Sequence, residues 1–167
     1  KRVVREFLQP FRPAAAEQMV VEREVVKRFQ QHLVDWKGHA TVISGRRGSG
    51  KTWIWQQALR NVPGVAMVSV SAQPVEKAIK AAFGLDLGAL QEVLKQVRLE
   101  LDTSNAWLET PVIVLEVQHA TRDVVEGIHS LAKALSSDAR LAHVVVCDST
   151  LVAPLFMSWG QECSHFW

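Results

Sequence analysis

The sequence predicts an α/β fold in three layers: a parallel sheet of about four strands with helices on both faces. Three observations carry that expectation. Four short apolar runs, at 40–44, 65–71, 112–117 and 142–147, are unbroken rather than alternating, as in strands covered on both sides. Stretches with helical periodicity stand between them, the order that builds parallel sheets. The first run leads through a glycine-rich loop, Gly45-Arg46-Arg47-Gly48-Ser49-Gly50-Lys51-Thr52, into a helical stretch.

Residues 1–13 contain Pro10 and Pro13 and show no clear period, so they read as an extended arm. From Ala14 to about Trp36 the pattern is helical: Val21, Val25, Phe29 and Leu33 recur every four residues, and Val26 and Trp36 broaden the stripe. Gly38 is a C-cap candidate. After the loop, Trp53 to Arg60 continues a helix, and Asn61-Val62-Pro63-Gly64 is a turn. Helices are expected from Pro74 to Phe83, from Gly88 to Leu101 and from Arg122 to Ser137. The second uses Leu90, Val93, Leu94, Val97 and Leu101 as its buried stripe, and the third uses Val125, Ile128, Leu131, Ala132 and Leu135. Past Thr150 the signal fades: Leu151 to Met157 suggests a short helix, and 159–167 an aromatic tail. The domain therefore spans 14–158, including the helix at 14–36.

Composition bounds the function. A chain of 167 residues, 48% hydrophobic and 22% charged, is one domain's worth with material for a core. Net charge of +2 gives no argument for nucleic acid. No apolar run approaches the roughly 18–20 residues of a membrane span. The two cysteines, Cys147 and Cys163, are too few for a disulfide framework; Cys147 reads as a core residue in a reducing, intracellular compartment. Lys1, Arg2 and Arg5, without an acid among the first five residues, resemble what remains of a mitochondrial precursor. Protein partners in a larger assembly are expected.

The loop matches G-x-x-x-x-G-K-[ST], the phosphate-binding P-loop. Glycines let successive backbone N–H groups point inward, and the following helix N-terminus adds partial positive charge. Lys51 reaches the β- and γ-phosphates, and the Thr52 hydroxyl ligates Mg²⁺. The cofactor-binding set is therefore Gly45, Arg46, Arg47, Gly48, Ser49, Gly50, Lys51, Thr52 and the adjoining Trp53, and the cofactor ATP or ADP with Mg²⁺. No base-reading motif separates ATP from GTP.

From Met19 to Phe156 the arrangement resembles the P-loop core of the AAA+/STAND class, with Val21-Glu22-Arg23-Glu24 similar to the Arg-Glu helix that precedes such cores. More narrowly, Gly45 to Thr52, Val65 to Gly84, Pro111 to Leu115 and Ala142 to Val146 are similar to tuzin-like proteins of trypanosomatids and their relatives. The resemblance implies a sheet ordered 1-4-3-2 with room for a fifth strand beyond the first; none is expected before Trp167, nor is a helical lid or an arginine finger.

In that class the third strand ends in two successive acids, one assisting the metal and one polarising water. Here Val112-Ile113-Val114-Leu115-Glu116-Val117-Gln118 supplies one acid. Two alignments are open: Glu116 is the catalytic carboxylate and Leu115 replaces the metal-side acid, or Glu116 is the metal ligand and Val117 replaces the base. Gln118 or His119 is at most a partial substitute, and His119 reads better as an ordinary polar residue after a strand. Ser149, rather than Asp148, is the candidate sensor of the γ-phosphate, since a carboxylate there would repel it. The expectation is a nucleotide-binding subunit with weak or absent hydrolysis; the alternative is an active ATPase switch completed by a partner or by further chain.

Overall fold

The computed structural model describes residues 1–13, 23–45, 50–148 and 163–166. Its strands are β1 (Ala40–Ser44), β2 (Val65–Ser71), β3 (Val112–Gln118), β4 (His143–Asp148) and β5 (Cys163–Phe166). They form one sheet, ordered β2-β3-β4-β1-β5, in which every neighbouring pair runs parallel. The four expected strands stand in the order 2-3-4-1, the reverse reading of 1-4-3-2.

The fifth strand corrects the expectation of an aromatic tail without one. Ala40 to Ile43 pair with Cys163 to Phe166 in parallel. An edge strand needs a backbone partner on one side only, so four residues of mixed polarity suffice, and they lack the apolar run that marks the inner strands. Trp159, Trp167 and the expected helix at 151–157 lie outside the described residues.

The expected extended arm is also corrected. Arg2–Leu8 forms helix α1, with Val3 and Phe7, four residues apart, buried. Arg2 and Glu6 add an i,i+4 ion pair at 3.4 Å. Pro10 ends this helix rather than preventing it: Gln9, immediately before it, is extended at ψ 142°. Seven residues are too few for a period to declare itself. Phe7 stacks on Phe83 at 5.4 Å, and its carbonyl accepts from the Gly64 N–H at 2.7 Å.

Helix α2 covers Arg23–Val34 and buries Phe29 and Leu33; 14–22 lies outside the described residues. Contrary to expectation, Trp36 is beyond its end. The Trp36 indole N–H donates to the His39 carbonyl at 2.7 Å, turning the chain toward β1. Helix α3 is Lys51–Ala58, followed by the expected turn. Gly64 is required there: it has φ +83°, and a Cβ would lie 2.6 Å from a Leu101 methyl.

Helices α4 (Val75–Phe83) and α5 (Leu87–Thr103) match the expected spans closely. Asp86 caps α5 by accepting from the Ala89 N–H at 2.8 Å. Leu90, Leu94, Val97 and Leu101 are fully buried, whereas Val93 is half-buried. Helix α6 ends earlier than expected, at Ala132, and passes into a π-helical turn, Lys133–Asp138. That wider turn places Ser136 inside, where its hydroxyl donates to the Ala142 carbonyl and accepts from the Val144 N–H.

Alternation along the strands separates two cores. Val42, Leu115, Val117 and Val146 face the layer of α1, α4, α5 and α6. Ile43, Val114, Val145 and Cys147 face α2 and α3. The inner strands β3, β4 and β1 are covered on both faces, which is why they read as continuous apolar runs. Strand β2 corrects the expectation of an unbroken run, since at the edge it alternates buried and exposed residues and Met67 is 44% exposed.

Candidate functional site

The C-terminal ends of β1, β3 and β4 converge where α3 begins. In open parallel sheets this is where ligands bind. Gly45 leaves β1, and Gly50 enters α3 with φ +87° and ψ 8°. A Cβ on Gly50 would meet nothing within 4 Å among the described residues, so the positive φ rather than crowding is what calls for glycine here. Arg46, Arg47, Gly48 and Ser49 lie outside the described residues, as does Ser149.

Lys51 folds back over the loop: its Nζ donates to the Gly45 carbonyl at 2.9 Å, and the residue is 4% exposed. The Ile54 N–H bonds the Gly50 carbonyl at 3.0 Å, opening the helical ladder. Thr52 is exposed on the first turn, and Trp53 packs at the edge of the core under α2 and α3.

Across the sheet, Ile43, Cys147 and Glu116 share one row, and Ser44, Asp148 and Val117 the next. Rows alternate in direction. Glu116 therefore lies on the face of Val114 and Cys147, under α3, while Val117 is buried on the opposite face. The half-buried Glu116 accepts a hydrogen bond from the Trp55 indole N–H at 2.8 Å.

Cys147 joins the two halves. Its thiol is within hydrogen-bonding reach of Thr52 and in the fields of Glu116, Lys51 and Asp148. Burial first, then the Glu116 and Asp148 charges, push the thiol up to about 12 against the pull of Thr52 and Lys51. It stays protonated at neutral pH, a packing group rather than a nucleophile. Asp148 is fully buried at the end of β4. Gln118 is the exposed last residue of β3, and the exposed His119 turns away from the strand direction at φ +52°.

The structure thus brings together Gly45, Gly50, Lys51, Thr52 and Glu116. Sequence reasoning missed Trp55 and Cys147 as neighbours of the carboxylate. The four-residue step from Lys51 to Trp55, one helical turn, was the available signal, but nothing in the sequence showed that this turn faces β3.

Among the described residues no three His, Cys, Asp or Glu side chains converge on a metal position. No helix among them is long and apolar enough to cross a membrane. The chain matches no known family model and no characterised protein.

Proposed function

We propose that this chain is a P-loop core of the AAA+/STAND type, tuzin-like in its sequence, that binds ATP or ADP with Mg²⁺ and hydrolyses it slowly or not at all, serving as a structural or regulatory subunit of a larger assembly. The observation that carries the reading is the placement of Glu116 on the α3 face, in register with Cys147 and bonded by Trp55 one turn after Lys51, with the buried Val117 directed to the other face.

Of the two alignments we adopt the metal-side one: Glu116 alone shares the face of α3, whereas Leu115 and Val117 both face the other layer. Thr52 and Glu116 are the residues that would hold Mg²⁺, and phosphate oxygens and water would complete its shell, as is usual for this ion. Bound there, the ion would neutralise charge between the terminal phosphates. Lys51 and the loop N–H groups would hold those phosphates. The position that should carry a water-polarising base is an apolar side chain on the wrong side of the sheet. Loss of such a group commonly costs several kcal/mol of transition-state stabilisation, whereas phosphate binding does not depend on it.

Titration calorimetry with ADP and ATP in Mg²⁺, paired with a turnover assay, tests the reading. Saturable binding is expected, weakened at least about tenfold in Lys51→Ala, with turnover below about 1 s⁻¹. No binding by the parent protein rejects the cradle. Faster turnover rejects the weakened-enzyme reading and leaves the active switch.

A further inference from the structure

A second cleft opens at the other end of the sheet. Its floor is formed where β3 and β4 begin, by Val112 and His143, so it lies a full strand length from Lys51 and Glu116. Its volume is about 450 Å³, within the range of small-molecule sites. Among the described residues lining it, Lys37, Arg98 and Arg140 are cations and Glu109 is the acid, with Trp36 and Trp107 adding two indoles.

The arrangement is built rather than incidental. Arg98 on α5 donates to the Arg140 main-chain carbonyl, which holds the two guanidinium-bearing residues side by side. Arg140 occupies the left-handed region at φ +50°, a conformation that costs a non-glycine residue energy and gathers at ligand sites. Gly38 leaves room for it: a Cβ there would lie 3.0 Å from the Arg140 Nε. Trp36 is fixed by its bond to the His39 carbonyl and by stacking on His143 at 5.5 Å and 24°. Trp107 is 47% exposed, on a loop that turns at Asn105, also left-handed at φ +51°. An exposed indole beside paired arginines leaves apolar and cationic surface in one concavity.

We infer that this cleft is a second ligand site, for a small anion that carries a planar ring. Arg98 and Arg140 would take the oxyanion, since the planar guanidinium fork matches carboxylate and phosphate geometry. Trp36 and Trp107 would take the ring. Glu109 disfavours ligands with a second negative end. The inference is independent of the P-loop reading, because none of these residues belongs to that site.

The test is calorimetric titration with phenyl phosphate, benzoate and inorganic phosphate on the whole chain, on Arg98→Ala and on Trp107→Ala. The expected result is saturable binding of phenyl phosphate, benzoate or both, with Kd below about 1 mM. It should weaken about tenfold in Arg98→Ala and measurably in Trp107→Ala. Arg140→Gly, which suits the left-handed backbone, is a second variant that removes a guanidinium without straining the loop. Inorganic phosphate should bind more weakly than phenyl phosphate. The inference is overturned by absence of saturation, by equal affinity for the ringed and ringless anions, or by insensitivity to Arg98→Ala and Arg140→Gly.

Discussion

Trp55 touches both the candidate site and the N-terminal segment. Its N–H holds Glu116, and its ring meets Phe11 at 5.5 Å. The carboxylate is therefore positioned by a neutral donor that does not consume its charge. Glu116→Gln keeps an acceptor for Trp55 while removing the negative charge. We expect it to cut the Mg²⁺-dependent part of ADP affinity about tenfold and to leave Mg²⁺-free binding unweakened, as read by titration with and without the ion.

Three histidines supply a different residue-scale effect, near the second cleft. The Thr41 hydroxyl lies 2.8 Å from His32 Nε2 and 2.7 Å from His143 Nε2. One hydroxyl proton serves at most one of them, so at least one imidazole donates. His143 is held well below its ordinary 6.5 by burial first, then by His32 and His39. His32 and His39 are also lowered, chiefly by burial. The unfolded His143 takes up a proton near pH 6.5 that the folded one refuses. Stability is thus flat above that pH and falls below it, until the folded group also titrates. The His143 site alone gives a slope of about 1.4 kcal/mol per pH unit in that window. Urea unfolding at pH 7.5, 6.5 and 5.5 should show it, and His143→Gln should flatten it.

At the scale of elements, α1 behaves as part of the core. Phe7 is 1% exposed against Phe83, and the chain around it bonds the α3–β2 turn three times: Gly64 to Phe7, Phe11 to Val62 and Asn61 to Phe11. Phe7→Ala should destabilise the protein by about 3–5 kcal/mol, measured by denaturant unfolding. A loss below about 1 kcal/mol would mean that the helix only rests on the surface. Gly64 explains why this turn accepts α1 so closely, since a side chain there would displace Leu101 of α5.

At the scale of the molecule, β5 closes one edge of the sheet by covering β1, the strand that leads into the glycine-rich loop. Deleting residues 158–167 should uncover the unpaired backbone of β1. Exposed edges recruit other chains, so light scattering should report concentration-dependent association that the parent protein lacks. A truncated chain that stays monomeric would show that β5 is dispensable as an edge guard.

The sequence by itself determined strands β1 to β4, the helices between them and the glycine-rich loop. Those features rest on local composition: apolar runs for doubly covered strands, a 3.6-residue period for α4 and α5, and left-handed glycines at turns. It left two alignments of Glu116 open, because a single acid after an apolar run has no direction until its strand is paired. Only the tertiary structure decided that Glu116 faces α3 and Val117 faces away, since the register of β3 on β4 sets that. The same holds for α1, β5, the Trp55 contact and the far cleft. Each depends on residues distant in the chain meeting across the sheet, and no local pattern encodes such a meeting.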